Sequence, residues 1–292
     1  MKFPYGIADF RKIREGGYFY VDRTDRISLI ENAGSQLLFM RPRRFGKSLW
    51  LSTLENYYDL ARANDFERLF GELKIGQNPT SLHNRYFVMR WDFSVVDPKG
   101  DADAIAASLY GHVNNAVESF NSRYRDWLDQ PIECHPTDGL RSFGRLLTAI
   151  STTPYKLYLL IDEYDNFANE VMISPLHSAN RYEELVQGEG TIKTLFKAVK
   201  SAASGQGLDR VFITGVSPVV LSDMTSGYNV AKDLTHLDDY HDLCGFTADE
   251  LSAALMEVLA THSWPAERGK EILEVLQRFY NGYRFGESAN PQ

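Results

Sequence analysis

The sequence predicts an α/β fold with a mainly parallel central sheet, and three observations carry that expectation. Short apolar runs, SQLLFM (35–40), RYFVMRWDFS (85–94), YKLYLLIDEYDNF (155–167) and DRVFITGVSP (209–218), recur with stretches of helical spacing between them. Strand–helix–strand units produce that alternation. The run at 155–167 is continuous and ends abruptly in acids, as a strand buried on both faces of a parallel sheet does. Finally, Gly46-Lys47-Ser48 sits between the first apolar run and a second apolar stretch, which puts a glycine-containing loop between a strand and a helix.

The elements follow in order. SLWLSTLENYYDL (48–60) reads as the helix after the first strand. Residues 101–128 form a long helix with Ile105, Leu109, Val113, Val117, Phe120 and Tyr124 on one face, a stripe whose ordinary use is core packing. SFGRLLTAIS is a second helix before the third strand, and EGTIKTLFKAVKSAAS a helix before the fourth. Beyond Gly245, GFTADELSAALMEVL opens on a capping box from Thr247 to Glu250, and a final helix is expected over about 269–281. The expected organisation is a main domain over 1–245 and a small C-terminal helical subdomain over 246–292.

Composition narrows the function. At 292 residues, 43% hydrophobic and 24% charged, the chain can bury a full core. Its net charge of -8 argues against a broad nucleic-acid face, which needs a basic balance or stripe. Positive charge gathers only at Arg41, Arg43 and Arg44. Cys134 and Cys244 stand far apart in no metal spacing, which fits a reducing compartment. MKFPYGIADF lacks the apolar stretch of a signal peptide, and no run reaches transmembrane length. A cytoplasmic protein with no membrane partner is expected.

The basic loop has a specific chemistry. A strand, a loop ending Gly46-Lys47-Ser48 and a helix form the context of a phosphate-binding loop. Backbone N–H groups at the helix N-terminus point at an anion, and the helix dipole favours negative charge there. Lys47 would reach the β- and γ-phosphates and the Ser48 hydroxyl would ligate Mg²⁺. The general pattern asks for glycine where this chain has Arg41, so the loop takes another path or another shape, with Pro42 stiffening it. The alternative is a Gly-Lys-Ser that merely starts a helix.

A second signal favours the nucleotide reading. LYLLIDEYD is an apolar strand ending in Asp162-Glu163, the form of a Walker B element: Asp162 would hold Mg²⁺, usually through a water, and Glu163 would orient or polarise the attacking water. Both elements lie at the carboxyl ends of buried strands, the edge where open α/β sheets bind ligands. VFITGVSP adds Thr214 and Ser217, which either lie beside that strand and bond the γ-phosphate or its water, or cap a turn.

With these residues in place the chain resembles the AAA-ATPase-like family of bacterial P-loop proteins, which is related to AAA+ and STAND ATPases and often fused to a PD-(D/E)XK-type nuclease domain. The resemblance rests on six segments in order: PYGIADFRKIREGGYFYVDRT, LLFMRPRRFGKS, LLIDEYDNF, FITGVSP, LCGFTADEL and FYNGYRFG. It implies a P-loop NTPase fold and removes the objection of Arg41, since the missing first glycine is normal there. It makes Lys47 and Glu163 catalytic and Ser48 and Asp162 metal-holding. The nucleotide-binding set is Arg43, Arg44, Phe45, Gly46, Lys47, Ser48 and Leu49, with Thr214, Ser217 and Arg284. Arg284 is a sensor or cis arginine finger, or else a salt-bridge residue. Arg43 and Arg44 contact phosphates or a neighbouring subunit. Tyr18 to Thr24 pack against the adenine or form a core strand. Asp165 shares the acidic motif without an assigned role.

The expected activity is Mg²⁺-dependent ATP hydrolysis driving or gating an attached or partner module. The alternative is a nucleotide-gated switch with negligible turnover that controls assembly or nucleic-acid engagement. ATP over GTP follows the resemblance, no Asn-Lys-x-Asp being present. The partners it implies are a homo-oligomer and a nuclease domain or partner protein outside this chain, which itself lacks nuclease spacing. Zinc-type His spacing and Gly-x-Ser-x-Gly are absent. HLDDYHD (236–242) reads as an acidic turn before a strand rather than as a metal cluster.

Overall fold

The four apolar runs all become strands. A computed structural model of the chain describes residues 1–166, 169, 190–217, 228–280, 283 and 285–286. In it β1 is Gln36–Met40, β2 Tyr86–Asp92, β3 Lys156–Asp162 and β4 Leu208–Gly215, and a two-residue β5, Lys232–Asp233, adds an edge that the apolar pattern does not announce. Among the described residues the sheet has five strands in the order β2-β3-β4-β1-β5. Every pairing is parallel.

The helices that cover the sheet are α1 (Phe10–Glu15), α2 (Arg26–Ala33), α3 (Lys47–Tyr58), the short α4 (Phe66–Phe70) and α5 (Lys74–Gln77), α6 (Ala102–Tyr124), α7 (Gly139–Ser151) and α8 (Thr191–Ala202). Then follow α9 (Ala248–Thr261) and α10 (Arg268–Tyr280). Alternate residues of each strand feed two cores. Phe87, Met89 and Trp91 join Leu157, Leu159 and Ile161 under α6, α7 and α8. Tyr86 and Val88 join Tyr158, Leu160 and Phe212 under α1, α2 and α3. Burial on both faces is why the β3 run is continuous rather than alternating. The α/β fold with a parallel sheet flanked by helices is therefore the observed one, of the P-loop NTPase kind.

Local chemistry sets the helix starts. Asp101 and Asp138 accept N–H bonds at the heads of α6 and α7. The capping box at Thr247 and Glu250 forms with both of its hydrogen bonds. All six stripe residues of α6 are buried. That helix also closes the outer edge of β2: Val88 N–H donates to Tyr124 Oη at 2.9 Å and Asp92 N–H to His112 Nε2 at 3.0 Å. Burial lowers the pKa of His112, which keeps that nitrogen an acceptor. No described helix is long and apolar enough to cross a membrane.

Candidate nucleotide site

The loop between β1 and α3 is built to leave amides free. Arg41 N–H donates to Gly215 O at 3.2 Å, which fastens the end of β1 to the end of β4. The chain then turns through two left-handed residues, Arg44 (φ 69°) and Gly46 (φ 95°). Glycine takes that conformation at no steric cost and arginine does not. The left-handed turning thus falls at positions 44 and 46, and the position held by Arg41 does not need glycine. From Arg43 to Leu49, seven consecutive backbone N–H groups have no hydrogen-bond partner among the described residues. Part of that set is the normal consequence of starting α3; the loop adds the rest. Unpaired amides at a helix N-terminus suit an anion. The Ser48 hydroxyl is also unengaged among the described residues.

Lys47 is buried and folds back onto this loop, donating Nζ to Arg41 O at 3.0 Å and Pro42 O at 3.2 Å. Burial lowers its pKa, while the charges of Glu163, Asp162 and Asp165 pull it upward. The lysine and the acidic end of β3 are therefore within electrostatic reach of each other, with the end of β4 between their strands.

On the acidic side, Asp162 is 1% exposed and both of its oxygens are engaged. Oδ1 accepts the Thr214 hydroxyl at 2.7 Å and Oδ2 accepts Arg90 Nη2 at 2.6 Å. Glu163 is half-buried with φ 50°, a left-handed conformation uncommon for any residue with a side chain. Burial raises its pKa, against the pull of Lys47 and Arg43. Arg44 and Glu163, two of the four non-glycine residues with positive φ among those described, thus stand on the two sides of the site, where backbone strain is commonly stored.

Asp165, to which the sequence assigns no role, is structural. It is fully buried and accepts Val216 N–H at 3.1 Å and Ser217 N–H at 2.6 Å. Tyr164 adds its own ties, N–H to Thr214 O at 3.1 Å and Oη to Ser217 O at 2.6 Å. The ends of β3 and β4 are thereby clasped together. A Cβ at Gly215 would collide with the Tyr164 ring and Asp165 Oδ1, so glycine is required at that close approach.

The remaining expected residues fall as follows. Arg43 and Arg44 are exposed, and Arg43 Nη2 donates to Asn166 Oδ1 at 3.0 Å. Phe45 is half-buried, edge-on to Tyr283 and Phe285 at ring separations of 5.0 and 5.5 Å. Leu49 is half-buried against the core under α3. Thr214 lies on the strand beside β3, with its hydroxyl spent on Asp162. The Ser217 backbone is held by Asp165 and Tyr164. Arg284 lies outside the described residues. Residues 18–23 form no strand; Tyr20 sets its ring against Phe10 at 5.5 Å.

The sequence missed two features. Arg41 does not extend toward an anion: its side chain is buried, with Nη1 donating to Met40 O and Thr235 O at 2.8 Å each. Nη2 donates to Tyr240 O at 3.1 Å and His241 O at 3.2 Å. The guanidinium is stacked between the rings of Phe39 and Phe285, 4.2 and 4.0 Å from their centroids. Burial pushes its pKa down to about 10, which leaves it charged at neutral pH. The HLDDYHD segment supplies two of those carbonyls. It forms a 3₁₀ turn at Asp238–Tyr240 but leads through further turns to α9, so the strand expected after it is corrected. Arg90, the other omission, was visible as the one basic residue inside the apolar YFVMRWD strand.

Unpaired amides at the head of α3 beside a buried lysine, with a buried carboxylate at the end of β3, give this α/β fold the layout of a P-loop NTPase. The model of the family described as "Predicted AAA-ATPase" matches residues 4–225, and the chain belongs to that family. Over 300 aligned positions the chain is 30% identical to the "uncharacterized protein in vnfD 5' region" of Azotobacter chroococcum mcd 1, covering 99% of this chain and 50% of that protein. The chain thus spans about half the length of this relative. Membership in a predicted ATPase family implies nucleotide binding.

Proposed function

We propose that the chain is a Mg²⁺-dependent ATPase whose cycle drives or gates an attached or partner module. The run of seven amides from Arg43 to Leu49 that have no partner among the described residues, with Lys47 inside it, carries this reading. In it these amides and Lys47 hold the phosphates, Ser48 and Asp162 hold Mg²⁺, and Glu163 orients and deprotonates the attacking water. Mg²⁺, when bound, would supply neutralisation of phosphate charge. The oxygen ligands suit that group: the Ser48 hydroxyl, unengaged among the described residues, and the buried Asp162 carboxylate. Thr214 acts through Asp162 by fixing the rotation of its carboxylate. In this reading Arg43 and Arg44, both exposed, meet phosphate oxygens or a neighbouring subunit.

The test is ATP binding and phosphate release by the purified chain, with and without EDTA, at several protein concentrations. Binding should require Mg²⁺, and Glu163→Gln should keep binding while lowering turnover on the order of 10²-fold. Absence of Mg²⁺-dependent binding would refute the reading. Tight binding over a flat phosphate baseline would replace hydrolysis by a nucleotide-gated switch.

The pH profile has a definite sign. Because burial holds the Glu163 pKa above the ordinary glutamate value, its base form is lost as pH falls through that raised value. The kcat/KM for ATP, which reports the free protein, should therefore decline on the acid side at a higher pH than a free glutamate would dictate, and Glu163→Gln should lack that limb.

A further inference from the structure

The aromatic residues beside the phosphate loop form one packed unit. Phe45, inside the run of amides, meets the rings of Tyr283 and Phe285 almost at right angles. Those two rings are parallel to within 6° and 5.8 Å apart. Phe285 is 8% exposed and covers the Arg41 guanidinium. Tyr283 is 45% exposed, and among the described residues no cation and no third ring lies against it. A flat ring is thus held in one orientation by its neighbours while much of its surface stays open.

The order of strands says which part of a nucleotide would meet this ring. β1, which leads into the loop, has β4 and then β3 on one side and β5 on the other. Asp162 and Glu163 lie at the end of β3. Arg41, against which Phe285 rests, is held from the opposite side, by carbonyls of Thr235, Tyr240 and His241 that follow β5. Phe45 O accepts Gly245 N–H at 2.8 Å, which ties the loop to the chain beyond that turn. A triphosphate lying on the amides with its γ-phosphate toward the acids therefore directs its sugar and base toward the β5 side. We propose that the open face of Tyr283 is the platform on which the nucleobase stacks. Stacking uses the π-face that every base has, so it contributes affinity with little discrimination between bases. Prior fixation of the ring by Phe45 and Phe285 lowers the ordering cost of binding. The inference rests on the reading of the amides from Arg43 to Leu49 as the phosphate cradle.

The probes are ATP and inorganic tripolyphosphate, each titrated with Mg²⁺ into the whole chain and its variants by calorimetry. Tripolyphosphate offers the charge without the base. Tyr283→Ala should weaken ATP binding roughly ten- to a hundredfold and leave tripolyphosphate binding as in wild type. Tyr283→Leu keeps apolar bulk against Phe45 without the flat face, and it should lose ATP affinity as the alanine variant does. Tyr283→Phe should retain it. That leucine–phenylalanine comparison separates stacking from packing even where the alanine variant is destabilised. Lys47→Ala should weaken both ligands. Unchanged ATP affinity in Tyr283→Ala, recovery of affinity in Tyr283→Leu, or an equal loss for ATP and tripolyphosphate would overturn the platform and leave the Lys47-dependent phosphate site standing. Failure of the wild type to bind either ligand with Mg²⁺ would overturn the ATPase reading itself, and the platform with it.

Discussion

Arg41→Gly, which restores the glycine that the general phosphate-loop pattern asks for, is expected to destabilise the chain by roughly 3–5 kcal/mol. The side chain it removes donates four hydrogen bonds to carbonyl oxygens, of Met40, Thr235, Tyr240 and His241. It also fills the space between the rings of Phe39 and Phe285. Hydrogen bonds from a charged donor are worth more than neutral ones, and buried acceptors left without a donor carry their full desolvation cost. The glycine gains nothing in exchange, since the left-handed turning is done by Arg44 and Gly46. Urea unfolding followed by tryptophan fluorescence should show a lower midpoint with an unchanged slope. A loss below about 0.5 kcal/mol, the range of an ordinary surface substitution, would mean that the arginine holds nothing in place.

Lys47→Ala should do the opposite, sparing the fold and removing the ligand. Lys47 sits in a position where burial penalises its charge, and among the described residues its side chain hydrogen-bonds only the loop carbonyls of Arg41 and Pro42. Its removal relieves a desolvated cation, so stability should change by less than about 1 kcal/mol. Loss of a buried, charge-assisted contact to phosphate costs on the order of 3–4 kcal/mol, and at 1.4 kcal/mol per decade ATP should bind roughly 10²–10³-fold more weakly. Calorimetric titration of ATP·Mg²⁺ into both proteins, with melting curves alongside, separates the two effects. A variant that binds ATP as wild type does, with an intact fold, would remove Lys47 from the phosphate site.

The contrast between these two basic residues, six positions apart, shows what the sequence could and could not reveal. Period and continuity of apolar residues placed β1 to β4 and the buried face of α6, because each such element is decided locally by which faces are covered. The Gly46-Lys47-Ser48 junction and the Asp162-Glu163 strand end were legible for the same reason: each is a short motif in a local context. The fate of Arg41 was not, because its partners Thr235 and His241 lie 194 and 200 positions away. In the sequence Arg41 reads only as a departure from the glycine of the phosphate-loop pattern, until the fold brings up carbonyls to satisfy it. Arg90 and Asp162 are likewise 72 positions apart, and the two residues that Asp165 clasps lie 51 and 52 positions from it. Side chains used to bind distant backbone carry no periodic signature, and β5, two residues long, carries almost none.

The way the sheet ends has a consequence for how the molecule can meet others. Along one border, Tyr124 and His112 take up main-chain groups of β2 that would otherwise be open to pairing. Along the other, β5 offers only Lys232 and Asp233, a length and a charge that discourage a visiting strand. Lateral extension by β-augmentation is thus blocked on the first flank and starved on the second. Among the described residues, the surfaces left open to other chains are those of helices and loops.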